Sequence, residues 1–203
     1  MATLTLIRGA DLLAAPWKNG GGVTREVAAF PPNAGLNDFV WRVSIADVAQ
    51  AGPFSRFAGI DRTLVLLSGA GMVLDEMDVL KAVKSHSLTQ VLDTARFDGE
   101  AHIDARLTDG ATRDFNLMVR RDAAQGEVDV WHGQWQQSTQ RTLSADVALL
   151  FCASGSVTVA PGDLEPLSLD AGDTLRIDMS NALPCTLEGA GAVLAISIRY
   201  TQR

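Results

Sequence analysis

Polar and apolar residues alternate along short stretches of this chain, and the alternation predicts strands. In Phe39-Val40-Trp41-Arg42-Val43-Ser44-Ile45-Ala46, a period of two places Val40, Arg42, Ser44 and Ala46 on one face and Trp41, Val43 and Ile45 on the other. In Thr112–Arg120, Asp114, Asn116, Met118 and Arg120 share a face opposite Phe115, Leu117 and Val119. β-type runs bounded by Gly, Asp or Pro predict further strands at Val23–Phe30, Thr63–Leu67, Met72–Leu74, His102–Leu107, Val128–Trp135, Val147–Phe151, Val157–Ala160, Thr174–Ile177 and Ala192–Tyr200. Helix has one candidate, the polar stretch Asp75–Leu92, which fits a hairpin with an irregular connection equally well. No Ser/Gly/Pro linker or low-complexity segment divides the chain, so one all-β unit is expected, sandwich or barrel.

An internal echo sharpens this expectation. Leu64–Leu74 matches Ala148–Thr158 at an offset of 84 residues, aligning Gly71 with Gly155. Both copies read as Gly-centred hairpins. Each is followed by a turn of Gly and acid, Phe97-Asp98-Gly99-Glu100 in the first and Ala171-Gly172-Asp173 in the second. Strand, Gly-centred hairpin and Gly–acid turn form the skeleton of a cupin half, and two copies predict a double-stranded β-helix bicupin of two stacked cupin-like barrels. The approximate halves are 1–121 and 122–203.

The 203 residues are 47% hydrophobic and 20% charged, enough for a sizeable core. A formal net charge of −7 argues against nucleic acid or an anionic membrane as partner, so any anion site must be local. No apolar run reaches the roughly 20 residues of a membrane span, and Met1–Asp11 lacks the basic and apolar regions of a secretory leader, so a cytoplasmic protein is expected. Cys152 and Cys185 lack a C-x-x-C spacing and are expected to be reduced and buried.

The histidines are His86, His102 and His132, with no His-x-His pair, so neither a metal nor another cofactor is expected. G-x-S-x-G elbows and Walker loops are lacking, and Gly69-Ala70-Gly71 serves turn geometry. The stretch Pro16-Trp17-Lys18-Asn19-Gly20-Gly21-Gly22 points instead to a binding loop. Its glycines permit close backbone approach, while Trp17, Lys18 and Asn19 supply a flat apolar wall, a cation and an amide. Arg42 and Ser44 on one strand, Asp114 and Asn116 on another, and Arg62 after the turn Gly59-Ile60-Asp61 are polar residues placed where they can line a barrel mouth.

Taken with Trp41–Ala46, Gly52-Pro53-Phe54-Ser55-Arg56-Phe57, Gly59–Arg62 and Arg113–Met118, the loop resembles the HutD/Ves family over roughly Leu4 to Arg121. The resemblance implies a bicupin without metal ligands, associated with bacterial histidine utilisation as a ligand-sensing or regulatory accessory protein, and a homodimer. A pocket for a small carboxylate metabolite follows. In it, Arg62 and Lys18 face the carboxylate, Asn19 and Asn116 an amide or ring nitrogen, and Trp17, Trp41 or Phe54 a flat face, with Arg42, Ser44, Ser55 and Asp114 beside them. The alternative is a metal-independent cupin enzyme using Lys18 or Asp114 in proton transfer.

Overall fold

The computed structural model describes residues 2–78, 81–134, 136–178 and 182–201. The strands are β1 (Thr3–Ile7), β2 (Ala14–Pro16), β3 (Gly22–Phe30), β4 (Trp41–Val48), β5 (Gly52–Pro53), β6 (Ile60–Ser68), β7 (Met72–Asp78), β8 (Lys81–Leu88) and β9 (Thr94–Asp98). They continue with β10 (Ile103–Leu107), β11 (Thr112–Arg120), β12 (Ala124–His132), β13 (Thr139–Leu143), β14 (Val147–Pro161), β15 (Leu167–Asp170), β16 (Thr174–Asp178) and β17 (Leu183–Tyr200). Among the described residues the only helical turn is the 3-10 segment Gly9–Asp11, and no helix is long and apolar enough to cross a membrane. Asp75–Leu92 forms the antiparallel pair β7–β8. Residues 79–80, like Trp135 at the end of an expected strand, lie outside the described residues.

The chain divides into two compact units, Leu13–Ala124 and a second formed by Met1–Leu12 with Gln125–Arg203. In the first, a six-stranded sheet of order β2-β3-β4-β11-β6-β9 lies across a shared core from a four-stranded sheet of order β5-β10-β7-β8. Leu64, Leu66 and Ala46 meet Met72, Leu74, Leu88 and Ile103 in that core. In the second, a seven-stranded sheet has β1-β16-β14-β17-β12 as its path, with β13 on β17 and β15 on β14. It encloses Trp131, Leu150, Val159, Leu175 and Ile177. The first cupin-like unit is thus a sandwich of two sheets facing one another across a core, and the second is one sheet folded around its own core.

The repeat extends beyond the two short echoes. β6 pairs with β9 and β11, as the first part of β14 (Val147–Phe151) pairs with β16 and the last part of β17. β7 pairs with β8 and β10, as Ser156–Val159 of β14 pairs with β15 and the first part of β17. The two Gly-centred segments are not hairpins, however. Gly69-Ala70-Gly71 carries the chain from β6 in one sheet to β7 in the other, and β14 continues through Gly155, just past its bulge between Cys152 and Ser154. A positive φ reads the same in sequence whether the chain reverses or turns a corner.

The Gly–acid turns also align differently from the sequence expectation. The counterpart of Ala171-Gly172-Asp173 is Val91-Leu92-Asp93, not Phe97–Glu100. Gly172 N–H donates to Cys152 O and Cys152 N–H to Asp173 O, at 2.8 and 2.9 Å. Leu92 N–H donates to Leu66 O and Leu66 N–H to Asp93 O, at 2.8 and 3.0 Å. Each Asp caps its own turn, Asp173 Oδ2 accepting from Asp170 N–H and Asp93 Oδ2 from Gln90 N–H. Leu92 holds φ 76° where Gly172 holds 96°, so a left-handed leucine concealed the match.

Gly155 and Gly172 separate conformational from steric cost. Both need φ > 0, but a Cβ on Gly172 would meet nothing closer than 3.7 Å, whereas on Gly155 it would collide with the Ala190 carbonyl. Gly172→Ala is expected to cost about 1–2 kcal/mol from the left-handed backbone alone, and Gly155→Ala clearly more. Urea unfolding midpoints of the two variants against wild type check the order.

Candidate functional site

Alternation on three adjacent strands builds the site. Arg42, Ser44 and Ala46 on β4, Arg62, Leu64 and Leu66 on β6, and Asp114, Asn116 and Met118 on β11 fall in matching register rows. Met118 stands opposite both Arg42 and Arg62, Asn116 opposite Ser44 and Leu64, and Asp114 opposite Ala46 and Leu66. All three rows belong to the sheet face that looks toward the sandwich interior, where Ala46, Leu64 and Leu66 join the apolar core. A cavity of about 560 Å³ opens against this face and is entirely lined by the Leu13–Ala124 unit.

Arg62 is buried in the wall. Its guanidinium carbon lies 5.0 Å from the ring centroid of Phe97, 5.4 Å from Phe54 and 5.8 Å from Phe57, and Nη1 donates to Ser55 O at 3.4 Å. Three ring faces replace part of the lost water. Desolvation still pulls its pKa down to about 10, partly offset by Asp114 and reinforced by Arg42, so the side chain stays cationic at neutral pH. Nε is buried without a hydrogen-bond partner.

Asp114 is 1% exposed, and its Oδ2 has no partner either. Burial pushes its carboxyl up to about 7, against the pull of Arg62 and with a further push from Asp47. The neighbouring Asn116 Oδ1 is a third buried atom without a partner. Arg42, by contrast, is committed: its Nε donates to Glu26 Oε2 at 2.7 Å and Nη1 to Ser44 Oγ at 3.4 Å. Asp47 accepts from Arg113 and Arg25, which hold its pKa low despite partial burial.

The Trp17–Gly22 loop forms one side of the mouth. Trp17 N–H donates to Gly22 O and its indole Nε1 to Thr24 Oγ1, at 2.9 and 2.7 Å. Gly20 takes φ 71° and donates to Trp17 O at 3.0 Å. A Cβ on Gly22 would sit 2.5 Å from Asp47 O and 3.1 Å from the Trp17 ring, so only glycine lets indole and strand approach this closely. Asn19 Oδ1 accepts from Gly21 N–H at 3.0 Å, which leaves its NH₂ for a ligand. Lys18 is exposed at the rim.

Ten of the eleven candidate residues line the cavity: Trp17, Lys18, Asn19, Arg42, Ser44, Phe54, Ser55, Arg62, Asp114 and Asn116. Trp41 does not. It is fully buried on the opposite face of β4 and stacks on Phe30 at 6.3 Å, because one residue along a strand reverses the side. Sequence reasoning overlooked Phe57 and Phe97 as the rings around Arg62, and Thr24 as the anchor of Trp17. Phe57 ends the same Gly52–Phe57 motif that supplied Phe54, and Phe97 shares the buried face of β9 with Ala95, so both were within reach. Among the described residues, no three His, Cys, Asp or Glu side chains are grouped to hold a metal ion. Both cysteines are free and buried.

These features define a bicupin-type all-β chain with a cationic, carboxyl-bearing cavity in its Leu13–Ala124 unit. The chain belongs to the HutD family, whose model matches residues 9–195. It is 37% identical over 184 residues to an uncharacterized 21.2 kDa protein from the hutC 3′ region of Pseudomonas putida, covering 90% of this chain and 91% of that one. It is 40% identical over 115 residues to the Ves protein of Escherichia fergusonii, covering 56% of each. Among solved structures, HutD from Pseudomonas fluorescens SBW25, obtained in a formate condition, aligns with a TM-score of 0.82 at 29% identity over 98% of this chain and 100% of that one. A conserved protein of unknown function from Pseudomonas aeruginosa PAO1 gives 0.85 at 28% over the same shares. The Escherichia coli protein YlbA, at 11% identity and TM-score 0.70 over 99% and 92%, shares the fold. The family is associated with the histidine-utilisation operon.

The buried Asp114 makes stability depend on pH. Its folded pKa of about 7 lies above the roughly 3.9 of an unfolded aspartate, so between these values the native state keeps a proton that the unfolded chain has lost. Stability from this group therefore falls as pH rises from about 4 to about 7 and is flat above, a loss on the order of 4 kcal/mol. Asp114→Asn should be more stable than wild type at pH 8, with the difference shrinking toward pH 5. Thermal melts at both pH values provide the check.

Proposed function

We propose that this chain binds a small carboxylate metabolite of histidine catabolism, urocanate- or formylglutamate-like, in the Arg62 cavity and serves as a cytoplasmic regulatory or sensor accessory protein. The observation that carries this reading is Arg62: a cation fixed by three rings in a cavity wall, with an unspent N–H donor. A guanidinium so placed pairs with a carboxylate at little ordering cost. Lys18 adds a mobile second charge at the rim, and Trp17 and Phe54 offer flat walls. The family's association with histidine utilisation selects the metabolite class. Charge-assisted hydrogen bonds of about 1.5–3 kcal/mol each, less ordering costs, point to micromolar affinity, suited to following a metabolite pool. The expectation of a homodimer rests on the family resemblance.

A second reading has its own support in Asp114. A carboxyl titrating near neutrality beside a cavity is suited to proton transfer, and the cavity would then house a metal-independent enzyme. Turnover separates the two. A binder returns its ligand unchanged after incubation with excess protein.

A thermal-shift screen of histidine, urocanate, formiminoglutamate, N-formylglutamate, glutamate and formate tests the binding reading. At about 100 times Kd a ligand stabilises the native state by about 2.7 kcal/mol, a rise of roughly 5–11 °C for a chain of this size. Lys18→Ala should reduce the shift without moving the unliganded midpoint. Arg62→Met should abolish the shift and also alter that midpoint, because Arg62 is part of the packed wall. Flat responses to all six compounds would sink the reading.

A further inference from the structure

The three unsatisfied buried atoms in the cavity wall have a polarity of their own. Arg62 Nε is a donor that requires an acceptor, whereas Asp114 Oδ2 and Asn116 Oδ1, two positions apart on β11, are acceptors that require donors. Arg62 stands in the register row of Met118, four residues along β11 from Asp114, a separation of roughly 13 Å between rows. An occupant that is only a carboxylate satisfies the Arg62 end and leaves two buried acceptors bare.

We propose that the cavity is bipolar: it takes a small acid carrying an N–H cation, amidinium- or imidazolium-like, with its carboxylate toward Arg62 and its N–H groups on Asp114 and Asn116. The inference rests on the carboxylate-binding reading and extends it to the ligand's other end. Asp114 is well placed for the task because its buried Oδ2 has no protein hydrogen-bond donor. The charged groups around it are Arg62 from β6, occupied with Ser55 O and three rings, and Arg42 from β4, bonded to Glu26. Lys18 stands at the rim, and Asp47, beside Ala46 on β4, is held by Arg25 and Arg113. A ligand cation hydrogen-bonded to Asp114 adds to the pull of Arg62 and lowers a carboxyl that otherwise titrates near 7, so binding near neutral pH expels a proton.

Two probes of equal shape test this: 4-guanidinobutanoate, whose guanidinium stays charged throughout, and 6-methylheptanoate, its apolar isostere. Titration calorimetry at pH 6.5 in two buffers of different ionisation enthalpy reads both affinity and proton exchange. The guanidino acid should bind about 10–100-fold more tightly than the isostere and release up to one proton, and its affinity should weaken as pH falls from 7 to 5. Asp114→Asn should remove both the preference and the proton release. Equal binding of the two probes, or proton uptake, would overturn the bipolar site while leaving carboxylate binding intact. Failure of both probes to bind would overturn the bipolar site and the carboxylate reading together. The wild-type measurements alone decide the matter if the variant does not fold.

Discussion

Everything distinctive about the Leu13–Ala124 unit follows from charged groups being placed on the inward face of a sheet. Strand alternation leaves no freedom here: once Ala46, Leu64 and Leu66 face the core, Arg42, Arg62 and Asp114 must face inward with them. Burying a guanidinium and a carboxyl costs several kcal/mol unless each finds a substitute for water. Arg62 finds rings and one carbonyl; Asp114 finds little and responds by holding its proton. The open cavity is what makes this arrangement tolerable, since it places both groups where an occupant can complete them.

The site divides its work between rigid and adaptable parts. Arg62, Asp114 and Asn116 stand on central strands, with the precision of the ladders behind them. Lys18 and Asn19 stand on a loop that is itself pinned by the Trp17 indole on Thr24 and by the lack of a side chain at Gly22. On the proposed binding, the fixed groups set which chemistry is accepted, and the exposed Lys18 and Asn19 side chains meet the ligand's outline. In the same proposal, Glu26 keeps Arg42 from competing for a ligand anion and leaves the deep guanidinium of Arg62 as the directional contact.

Much of this was legible in the sequence because period-two alternation survives in β4 and β11, and because polar residues inside an otherwise apolar strand stand out. What failed did so for definite reasons. Trp41 is expected in the pocket for its flat ring, although alternation already places it on the face opposite Arg42 and Ser44, and that face packs in the core. The Gly71 and Gly155 segments looked like hairpins because a corner between sheets and a reversal use the same residue. Leu92 hid a turn that Gly172 advertises, so the first repeat's Gly–acid turn was sought seven residues too late, at Gly99-Glu100 instead of Leu92-Asp93. The rings around Arg62 come from β9 and from the segment before β6, and their convergence is a property of packing that no local pattern contains.

The first strand has a consequence for how the molecule is divided. β1 pairs along its whole length with β16, so the compact unit ending at Arg203 is completed by residues that precede Leu13. The repeat, by contrast, runs from β6 to β11 and again from β14 to β17. The repeat and the units share a boundary between β11 and β14, but the second unit also takes in the residues before Leu13. A gene cut midway between the echoes would yield a C-terminal fragment with the β16 edge bared and open to pairing with other copies of itself, and the segment that protects that edge would be left on the other piece.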